Sequence, residues 1–390
     1  MASVLPLLNR RSFLGLAALS VASSAGAGGW AAQSILGSPI ANASGRGPMP
    51  PMPPTMRNRA DVEMYRDFRA RFVLPEGRVV DNHNGGVSHS EGQGWGMLMA
   101  VAFDDEPTFD RLWSWTKHWF RRPGDRLHAW RYQPSAEPPV GDLNNATDGD
   151  LYIAGALARG ARQWRRPELA AEATAIGQDI LRLLVRRTGS RTVLLPGAFG
   201  FEKEGGVIVN PSYYVFPLMR EVAALVPSPA WSTLETDGIR LISEGRFGPW
   251  ALPPDWLRID QRTGALRPAP GWPARFSYDA IRIPLHLAWG GIDAPGVFKN
   301  FSQYWNASHP FAPAWADLSS GAIAPYPADA GIRAVAHLAL RAFQKRDAAS
   351  VKEYGSQASH ASDYFPSALV VLSRMAASES RSRQKDFDQG

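Results

Sequence analysis

Apolar residues recur at spacings of three and four along most of the chain, which is the pattern of amphipathic helices. The segments that this periodicity predicts as helices are Ala60–Phe72, Glu91–Phe103, Thr108–Arg121, Asp148–Trp164, Pro167–Arg187, Pro211–Leu225, Pro229–Glu244, Tyr278–Trp289, Val297–Trp305, Ala328–Gln344 and His360–Met375. Strand patterns are few: "RTVLLPG", "GGVIVN" and a hairpin, "WLRIDQRTGALRP", that turns near Thr263 and Gly264. The sequence therefore predicts an all-α fold with a few short strands in its loops.

The loops between these helices carry much of the glycine, proline and tryptophan, as expected for helices stacked in pairs with a binding surface at one end. No internal repeat is visible, which favours a closed helical barrel over a solenoid. The helical pattern continues without a linker-like break from residue 57 to about residue 377, so we expect one domain there. The polar segment 378–390 is predicted to be a disordered tail.

The N-terminus has the layout of a twin-arginine export signal. Arg10 and Arg11 precede an apolar stretch, 13–27, and small residues suited to cleavage follow as far as Ala31. That stretch is shorter than the roughly 20 apolar residues of a membrane span, which makes an uncleaved anchor the weaker alternative. We therefore expect a signal peptide over residues 1–31, a periplasmic or secreted protein, and no stable membrane span after cleavage. Residues 32–56, rich in Gly, Ser and Pro, read as a linker.

The composition excludes some classes of partner and of metal site. The formal net charge is +6, but the arginines are scattered among acids and form no basic run, so nucleic acid is not an expected partner. The absence of cysteine excludes disulfides and thiolate metal sites. Fourteen tryptophans are many for 390 residues, and exposed rows of this side chain commonly stack on the flat faces of sugars or bases.

The stretch "HSEGQGWGML" places Glu91 among three glycines and Trp95 at the predicted start of a helix. Ser88 or Ser90 could cap this helix, and its dipole would then favour a charge in the first turn. Glycine in a helix interior costs about 1 kcal/mol relative to alanine, so three of them indicate close approach by a ligand or by another helix. Partial burial against Trp95 would provide the raised pKa that a general acid requires. The alternative is a tight helix contact with an incidental glutamate.

Two further stretches place acids at helix starts. In "NNATDGDLYIAGAL", Asp148 and Asp150 precede an apolar helix; Thr147 or Asp148 could be an ordinary N-cap, but the acids and asparagines offer more acceptors than one cap uses. In "FSYDAIRIPLHLAW", Asp279 and Arg282 are three residues apart on one helix face. A guanidinium there would hold the carboxylate ionised and oriented, as a base requires, although a surface ion pair is the alternative.

Three separated carboxylates in an exported, Trp-rich, helical domain fit glycoside hydrolysis, which needs one protonated acid and one ionised carboxylate across a sugar ring. The aromatic residues that we expect to stack against sugars are Trp95, Trp130, Tyr213 and Tyr214. His83, His89 and Glu91 could suggest a metal site, but their spacing is not that of a recognised ligand motif. No serine lies in a nucleophile-elbow pattern, and there is no phosphate-binding glycine loop.

Four stretches in this order, "SEGQGWGMLMAVAFDD", "ATDGDLYIAGAL", "NPSYYVFPLM" and "YDAIRIPLHLAW", resemble glycoside hydrolase family 8. The likeness is closest to its bacterial endo-β-1,4-glucanases associated with cellulose synthesis, and "DYFPSALVVLSRMA" resembles the last helix of that group. It covers roughly residues 57–377, nearly the whole expected mature domain. The resemblance implies an (α/α)6 barrel, hydrolysis with inversion, a β-1,4-glucan substrate and a cellulose synthase complex as a partner.

The resemblance also implies roles for individual residues. Glu91 matches the proton donor, Asp279 the base, and Asp148 the residue that binds and distorts the sugar at the cleavage point. Other positions matching residues that line the same site are Asp150, Tyr214, Tyr278 and Arg282. The acid and base of an inverting enzyme stand about 6.5–9.5 Å apart to leave room for water, and no metal or other cofactor is expected. The alternatives are the same chemistry on xylan or chitosan, a non-catalytic glucan-binding subunit, and a metal-dependent polysaccharide deacetylase.

Overall fold

The structure, a computed structural model, describes residues 50–307, 309, 311–344 and 363–389. The described residues form eleven α-helices: α1 Arg59–Phe72, α2 Ser90–Ala102, α3 Glu106–Phe120, α4 Thr147–Gln163, α5 Pro167–Leu184, α6 Phe216–Leu225, α7 Pro229–Glu244, α8 Arg282–Trp289, α9 Pro295–Asn306, α10 Ala330–Gln344 and α11 Tyr364–Gln389. Each predicted helix therefore has a counterpart. The predicted signal peptide, linker residues 32–49 and residues 360–362 of the last predicted helix lie outside the described residues.

The strands are short and antiparallel, and lie in the connections between helices: β1 Ser88–His89, β2 Arg131–Tyr132, β3 Val185–Thr188, β4 Arg191–Leu194, β5 Glu202–Lys203, β6 Gly206–Val209, β7 Leu257–Asp260, β8 Leu266–Pro268, β9 Arg275–Phe276 and β10 Ala316–Asp317. β5 to β8 form one four-stranded sheet in sequence order, and the others pair as β1–β2, β3–β4 and β9–β10. The three predicted strand segments are confirmed as β4, β6 and the β7–β8 hairpin, where Gly264 has φ +70°.

Six of the described helices form a closed ring around the core. α2 contacts α4, α4 contacts α6, α6 contacts α8, α8 contacts α10, α10 contacts α11, and α11 returns to α2. The remaining helices pack outside this ring, for example α3 on α2 and α5 on both α4 and α6. Ring helices α2 and α4 are buried on nearly every side, as expected of helices at the centre of a large core. The ring is the scaffold on which the site is built.

Besides the end of the last helix, which lies at Gln389 instead of Met375, three predicted helix boundaries are wrong. α5 ends at Leu184, and the next residues form β3, because pairing with β4 replaces the last predicted turn. The segment predicted as one helix over Pro211–Leu225 contains a short 3-10 helix, Pro211–Tyr213, and then α6. α8 begins at Arg282, because residues 277–281 form a turn. The first difference comes from a local hairpin, and only the third involves a distant residue, Asp255, which binds Ser277 and Ala280.

The folded part extends beyond both predicted ends of the domain. The Met56 side chain is buried, and its N–H donates to the Ala102 carbonyl at 2.8 Å. The Pro50 carbonyl accepts a hydrogen bond from Arg162 at 2.6 Å. At the other end, α11 runs through the segment predicted as a disordered tail, and that prediction is wrong as far as residue 389. In the part of the chain that the structure describes, no helix is both long and apolar enough to cross a membrane.

A buried ion network explains why the last helix continues. Arg159 of α4 pairs with Glu379 of α11 at 2.8 Å and with Glu221 of α6 at 3.0 Å. Glu221 also pairs with Arg162 at 2.5 Å. Burial raises the pKa of Glu221, while the two arginines oppose that shift. Two arginines and two glutamates thus balance one another between three ring helices, and removing one partner would leave a buried charge uncompensated.

We predict that Glu379→Ala destabilises the fold by about 3–5 kcal/mol, the usual cost of breaking one side of a buried ion pair. Chemical denaturation monitored by circular dichroism measures this free energy of unfolding. The matched control is Glu202→Ala, which removes a partly exposed partner of Arg186 and should leave the midpoint nearly unchanged. Equal midpoints for the two variants would contradict a structural role for the end of α11.

Candidate active site

The site lies where three ring helices begin. Glu91 is the second residue of α2, Asp148 the second residue of α4, and Arg282 the first residue of α8. The positive ends of the α2 and α4 dipoles therefore act on Glu91 and Asp148 respectively. Neither helix has the predicted side-chain cap: His89 and Ala146 occupy the N-cap positions and provide no capping hydrogen bond.

The Arg282 guanidinium contacts three carboxylates. Its Nη1 lies 2.8 Å from Asp148 Oδ2 and also contacts Glu91 Oε1. Its Nη2 lies 2.7 Å from Asp279 Oδ1, which confirms the predicted Asp279–Arg282 pair. Three carboxylates around one guanidinium carry a formal charge of −2 when all are ionised, and like charges this close favour uptake of a proton. The cluster can therefore hold a protonated acid beside an ionised base.

Exposure distinguishes the three carboxylates. The Asp279 side chain is 26% exposed, whereas those of Glu91 and Asp148 are 7% and 2% exposed. Asp279 can therefore contact a water molecule from the cleft. Glu91 and Asp148 both face Nη1 of Arg282 and so compete for the same donors. A desolvated carboxyl beside a second carboxylate is the environment of a proton donor.

The glycines of α2 serve helix packing. A Cβ at Gly92 would lie 2.4 Å from the Tyr364 hydroxyl, and one at Gly94 would lie 2.5 Å from Tyr152 Cβ. Gly96 faces side chains from outside the helix at 3.1 Å and beyond. Of the two predicted explanations, approach by another helix is confirmed. The same applies to Gly149, where a Cβ would lie 2.2 Å from Ser90 Oγ and 2.8 Å from the Glu91 nitrogen. Gly149 thus lets the start of α4 approach the start of α2.

The loop before α6 supports Arg282 from a second side. Ser212 Oγ lies 3.1 Å from Arg282 Nη2 and donates to Asn210 Oδ1 at 2.7 Å. The Tyr213 ring lies beneath the guanidinium, 5.7 Å from Cζ to the ring centroid. Tyr213 is only 6% exposed, so it offers little surface on which a sugar could stack. Its position instead supports a cation–π contact with Arg282.

A second layer lies one helical turn below the charged residues. Trp95, Tyr152 and His286 follow Glu91, Asp148 and Arg282 by four residues each on their helices. The rings of Trp95 and Tyr152 meet edge to face at 6.0 Å, and the Tyr152 hydroxyl is 2.6 Å from His286 Nε2. Burial and the nearby Arg282 charge lower the pKa of His286 to about 3, so the imidazole adds no competing positive charge near neutral pH.

Besides Tyr213, three further residues predicted to contact substrate are buried. Trp95 has no exposed surface and packs against Tyr364, so the prediction that it stacks on a sugar is wrong. Tyr214 is also buried, and its hydroxyl accepts a hydrogen bond from the Leu194 N–H at 3.0 Å. Asp150 has no exposed surface either. In each case the side chain follows a site residue in sequence but points into the core.

Asp150 fixes two segments beside the site. Its Oδ1 accepts from the His128 N–H and lies 2.9 Å from His128 Nδ1, and its Oδ2 accepts from Asn145 Nδ2 at 2.8 Å. Burial raises the pKa of Asp150, although the hydrogen bonds from His128 oppose the shift. Asn145 in turn accepts hydrogen bonds from Arg122 and the Ala198 N–H. Asp150 therefore supports the loops that border the start of α4.

Two predicted aromatic residues are half-buried and remain candidates for substrate contact. Trp130 stacks on His89 at 6.0 Å between ring centroids, and its carbonyl accepts from the Ser90 N–H, next to Glu91. Tyr278 immediately precedes Asp279, and its hydroxyl lies 3.3 Å from that of Tyr326. The Trp130 ring therefore lies beside the residues that adjoin Glu91, and the Tyr278 ring belongs to the residue next to Asp279.

The histidines near Glu91 have other contacts. His83 Nδ1 lies 3.9 Å from Asp363, and His89 packs on Trp130. Among the described residues, no group of three or more His, Cys, Asp or Glu side chains could hold a metal ion.

Comparison with known proteins agrees with this arrangement. The family model for "Glycosyl hydrolases family 8" matches residues 56–379. The chain belongs to this family. A "Probable endoglucanase" of Novacetimonas hansenii is 44% identical over 323 residues, covering 82% of this chain and 92% of that protein. An "Endoglucanase" of Cellulomonas uda is 41% identical over 278 residues, covering 71% of this chain and 77% of that protein.

The solved structure of the endo-beta-1,4-glucanase of Acetobacter xylinum is similar throughout. It has a TM-score of 0.77 and 44% identity, and the match covers 83% of this chain and 99% of that one. Solved structures of family 8 are (α/α)6 barrels, so the predicted fold is confirmed. Membership also makes the chain a glycoside hydrolase, as predicted.

Sequence reasoning missed two residues beside the carboxylate cluster, Ser212 and His286, and one exposed aromatic residue, Phe199. Ser212 and His286 carry no local signal of their contacts with Arg282 and Tyr152, because those partners are 70 and 134 residues away. Phe199, 63% exposed, lies in a loop that Asn144 holds through two hydrogen bonds. Glycine and proline in the stretch "PGAFG" indicate a turn, so Phe199 could have been predicted to be an exposed aromatic residue.

We predict that Gly149→Ala lowers kcat by about 10²-fold, because a methyl group there forces the starts of α2 and α4 apart and shifts Glu91 relative to Asp148. Initial rates on carboxymethylcellulose measure the effect. The control is Gly296→Ala in α9, where an added Cβ meets nothing within 4 Å and the activity should be unchanged. Similar kcat values for the two variants would contradict the close approach as a requirement of the site.

Proposed function

We propose that this protein is an endo-β-1,4-glucanase that hydrolyses internal bonds of cellulose by single displacement with inversion. The observation that carries the proposal is the contact of Arg282 with Glu91, Asp148 and Asp279 at the start of three ring helices. The endoglucanase names of its relatives support the same reaction and substrate.

Glu91 is the proton donor of the proposed reaction. The protonated carboxyl gives its proton to the glycosidic oxygen as the bond from that oxygen to the anomeric carbon breaks, so the leaving chain departs as an alcohol. Burial of Glu91 beside Asp148 supports this assignment. Both carboxylates contact Nη1 of Arg282, and one guanidinium neutralises only part of their combined negative charge. Asp148, hydrogen-bonded to Arg282 at 2.8 Å, remains ionised and positions the sugar at the cleavage point.

Asp279 is the base. Its carboxylate takes a proton from water while the water oxygen forms a bond to the anomeric carbon on the face opposite the leaving group. The hydrogen bond from Arg282 at 2.7 Å keeps this carboxylate ionised and directed. Its partial exposure leaves one side open to the water. Glu91 and Asp279 contact different nitrogens of one guanidinium, an arrangement that supports separate acid and base sites.

The half-buried rings of Trp130 and Tyr278 are the proposed sugar contacts nearest the acid and the base. Aromatic rings contact the apolar faces of glucose, and their hydrogen-bonded edges fix the ring orientation. Trp130 Nε1 donates to Asp142 at 2.7 Å, which holds the indole in place. The predicted twin-arginine signal supports action outside the cytoplasm, in the periplasm or secreted. We further propose that the protein acts on nascent cellulose beside a cellulose synthase complex, as the family resemblance implies.

We predict that the mature protein releases reducing ends from carboxymethylcellulose and that Glu91→Gln lowers kcat by about 10²–10⁴-fold, the usual contribution of general acid catalysis. Glu63→Gln, in an exposed helix pair on α1, is the isosteric control and should retain full activity. Parallel assays on xylan and chitosan test the substrate. Greater activity on either of these polymers would overturn cellulose as the substrate, and binding without cleavage would overturn the enzyme activity.

Inversion has a direct signature. Hydrolysis of a β-linked glucan with inversion gives the α-anomer as the first product, before mutarotation equilibrates it. Proton NMR of a short cello-oligosaccharide during the first minutes of reaction should therefore show the α-anomeric signal growing ahead of the β-signal. Early growth of the β-signal would mean retention and would require a covalent intermediate on one of the carboxylates.

A further inference from the structure

Asp255 binds the turn that carries the base. It is buried just before β7, and its Oδ1 accepts hydrogen bonds from the Ser277 N–H at 2.9 Å and from the Ala280 N–H at 2.8 Å. Its Oδ2 accepts a hydrogen bond from the Ser277 hydroxyl. The Asp255 N–H donates to the Arg275 carbonyl at 2.8 Å, so the same residue also holds the strand before the turn. All these contacts converge on one short segment.

The two residues that Asp255 binds flank Tyr278 and Asp279. The turn then leads directly into α8, since the Arg282 N–H donates to the Asp279 carbonyl at 3.0 Å. A main chain held on both sides leaves Asp279 little freedom to change the direction of its side chain. The position of Asp255 relative to the turn thus determines where the base meets Arg282 and the cleft.

This arrangement replaces a local side-chain contact within the turn. A serine at the start of a turn can itself accept a hydrogen bond from a main-chain N–H that follows it. Here the Ser277 hydroxyl donates to Asp255, and Asp255 accepts the Ala280 N–H. Pro253 and Pro254, both buried, precede Asp255, and their rings fix the φ angles of the segment that leads into it. Burial raises the pKa of Asp255, and the hydrogen bonds from Ser277 and Ala280 oppose that shift.

We propose that Asp255 is a positioning residue for the base: by holding the main chain on both sides of Asp279, it directs that carboxylate at the attacking water. The proposal rests on the proposed function, in which Asp279 is the base. It makes Asp255 part of the hydrolytic machinery without contact with the substrate. Removing its carboxylate should therefore slow the chemical step more than it weakens substrate binding.

The first test compares Asp255→Ala with Asp255→Asn on carboxymethylcellulose. Asp255→Ala is expected to lower kcat by about 10–100-fold with little change in KM, because a misdirected base affects the chemical step. Asp255→Asn keeps an oxygen for the two N–H groups and should recover most of the activity. The matched control is Asp260→Ala, since Asp260 accepts similar bonds from Thr263 in the β7–β8 hairpin. Unchanged kcat in folded Asp255→Ala would overturn the proposal.

A second measurement separates positioning of the base from a general structural effect. A dinitrophenyl cello-oligosaccharide has a leaving group that needs no proton, so Glu91→Gln should retain activity on it while Asp279→Asn should not. If Asp255 acts through the base, Asp255→Ala loses the same factor on the activated substrate as on the polymer. If Asp255→Ala loses activity on the polymer alone, the substitution acts on the acid. If its loss of activity equals the fraction of protein that is unfolded, the role of Asp255 is structural. Either result overturns the proposal.

A milder substitution tests the same contact with less risk of unfolding the protein. Ser277→Ala removes only the hydroxyl that Asp255 Oδ2 accepts, and should lower kcat several-fold on both substrates with little effect on thermal stability. Full activity in this variant on both substrates would count against the proposal. An inactive wild-type protein would instead overturn the proposed function itself, so the two failures are distinguishable.

Discussion

The Arg282 guanidinium contacts all three carboxylates proposed to act in hydrolysis, and the rest of the site is arranged to hold it. Without a positive charge, three acids at the starts of neighbouring helices would repel one another and drive the helices apart. Ser212 and the Tyr213 ring support the guanidinium from the side. The same guanidinium thus offsets the repulsion among the carboxylates and contacts both the proposed proton donor and the proposed base.

The layer beneath the charged residues explains why the site can be both buried and rigid. Trp95, Tyr152 and His286 are the next residues on the same faces of α2, α4 and α8, so any shift of one helix would disturb their mutual contacts. Tryptophan and tyrosine here act as core residues with a polar edge. Part of the high aromatic content of the sequence therefore serves packing beneath the site and not contact with a sugar.

Local patterns predicted the helices well, because a helix is decided by neighbours three and four residues away; Pro229–Glu244 has the predicted bounds. The Asp279–Arg282 pair was predictable for the same reason. The exposure of individual side chains was not predictable from local patterns, because Trp95 and Tyr214 become buried only when distant parts of the chain pack around them. The bonds from Asp255 to the base-bearing turn span 22 to 25 residues, and no periodicity encodes such a contact.

The closure of the ring between α2 and α11 has a consequence for the order of folding. These helices come from opposite ends of the domain, so the decisive contact can form only after the ribosome has released nearly the whole chain. Non-local contacts of this kind slow folding and leave apolar faces uncovered until the end. A transport route that accepts finished, folded proteins, as the proposed twin-arginine signal implies, gives this chain the time that its topology demands.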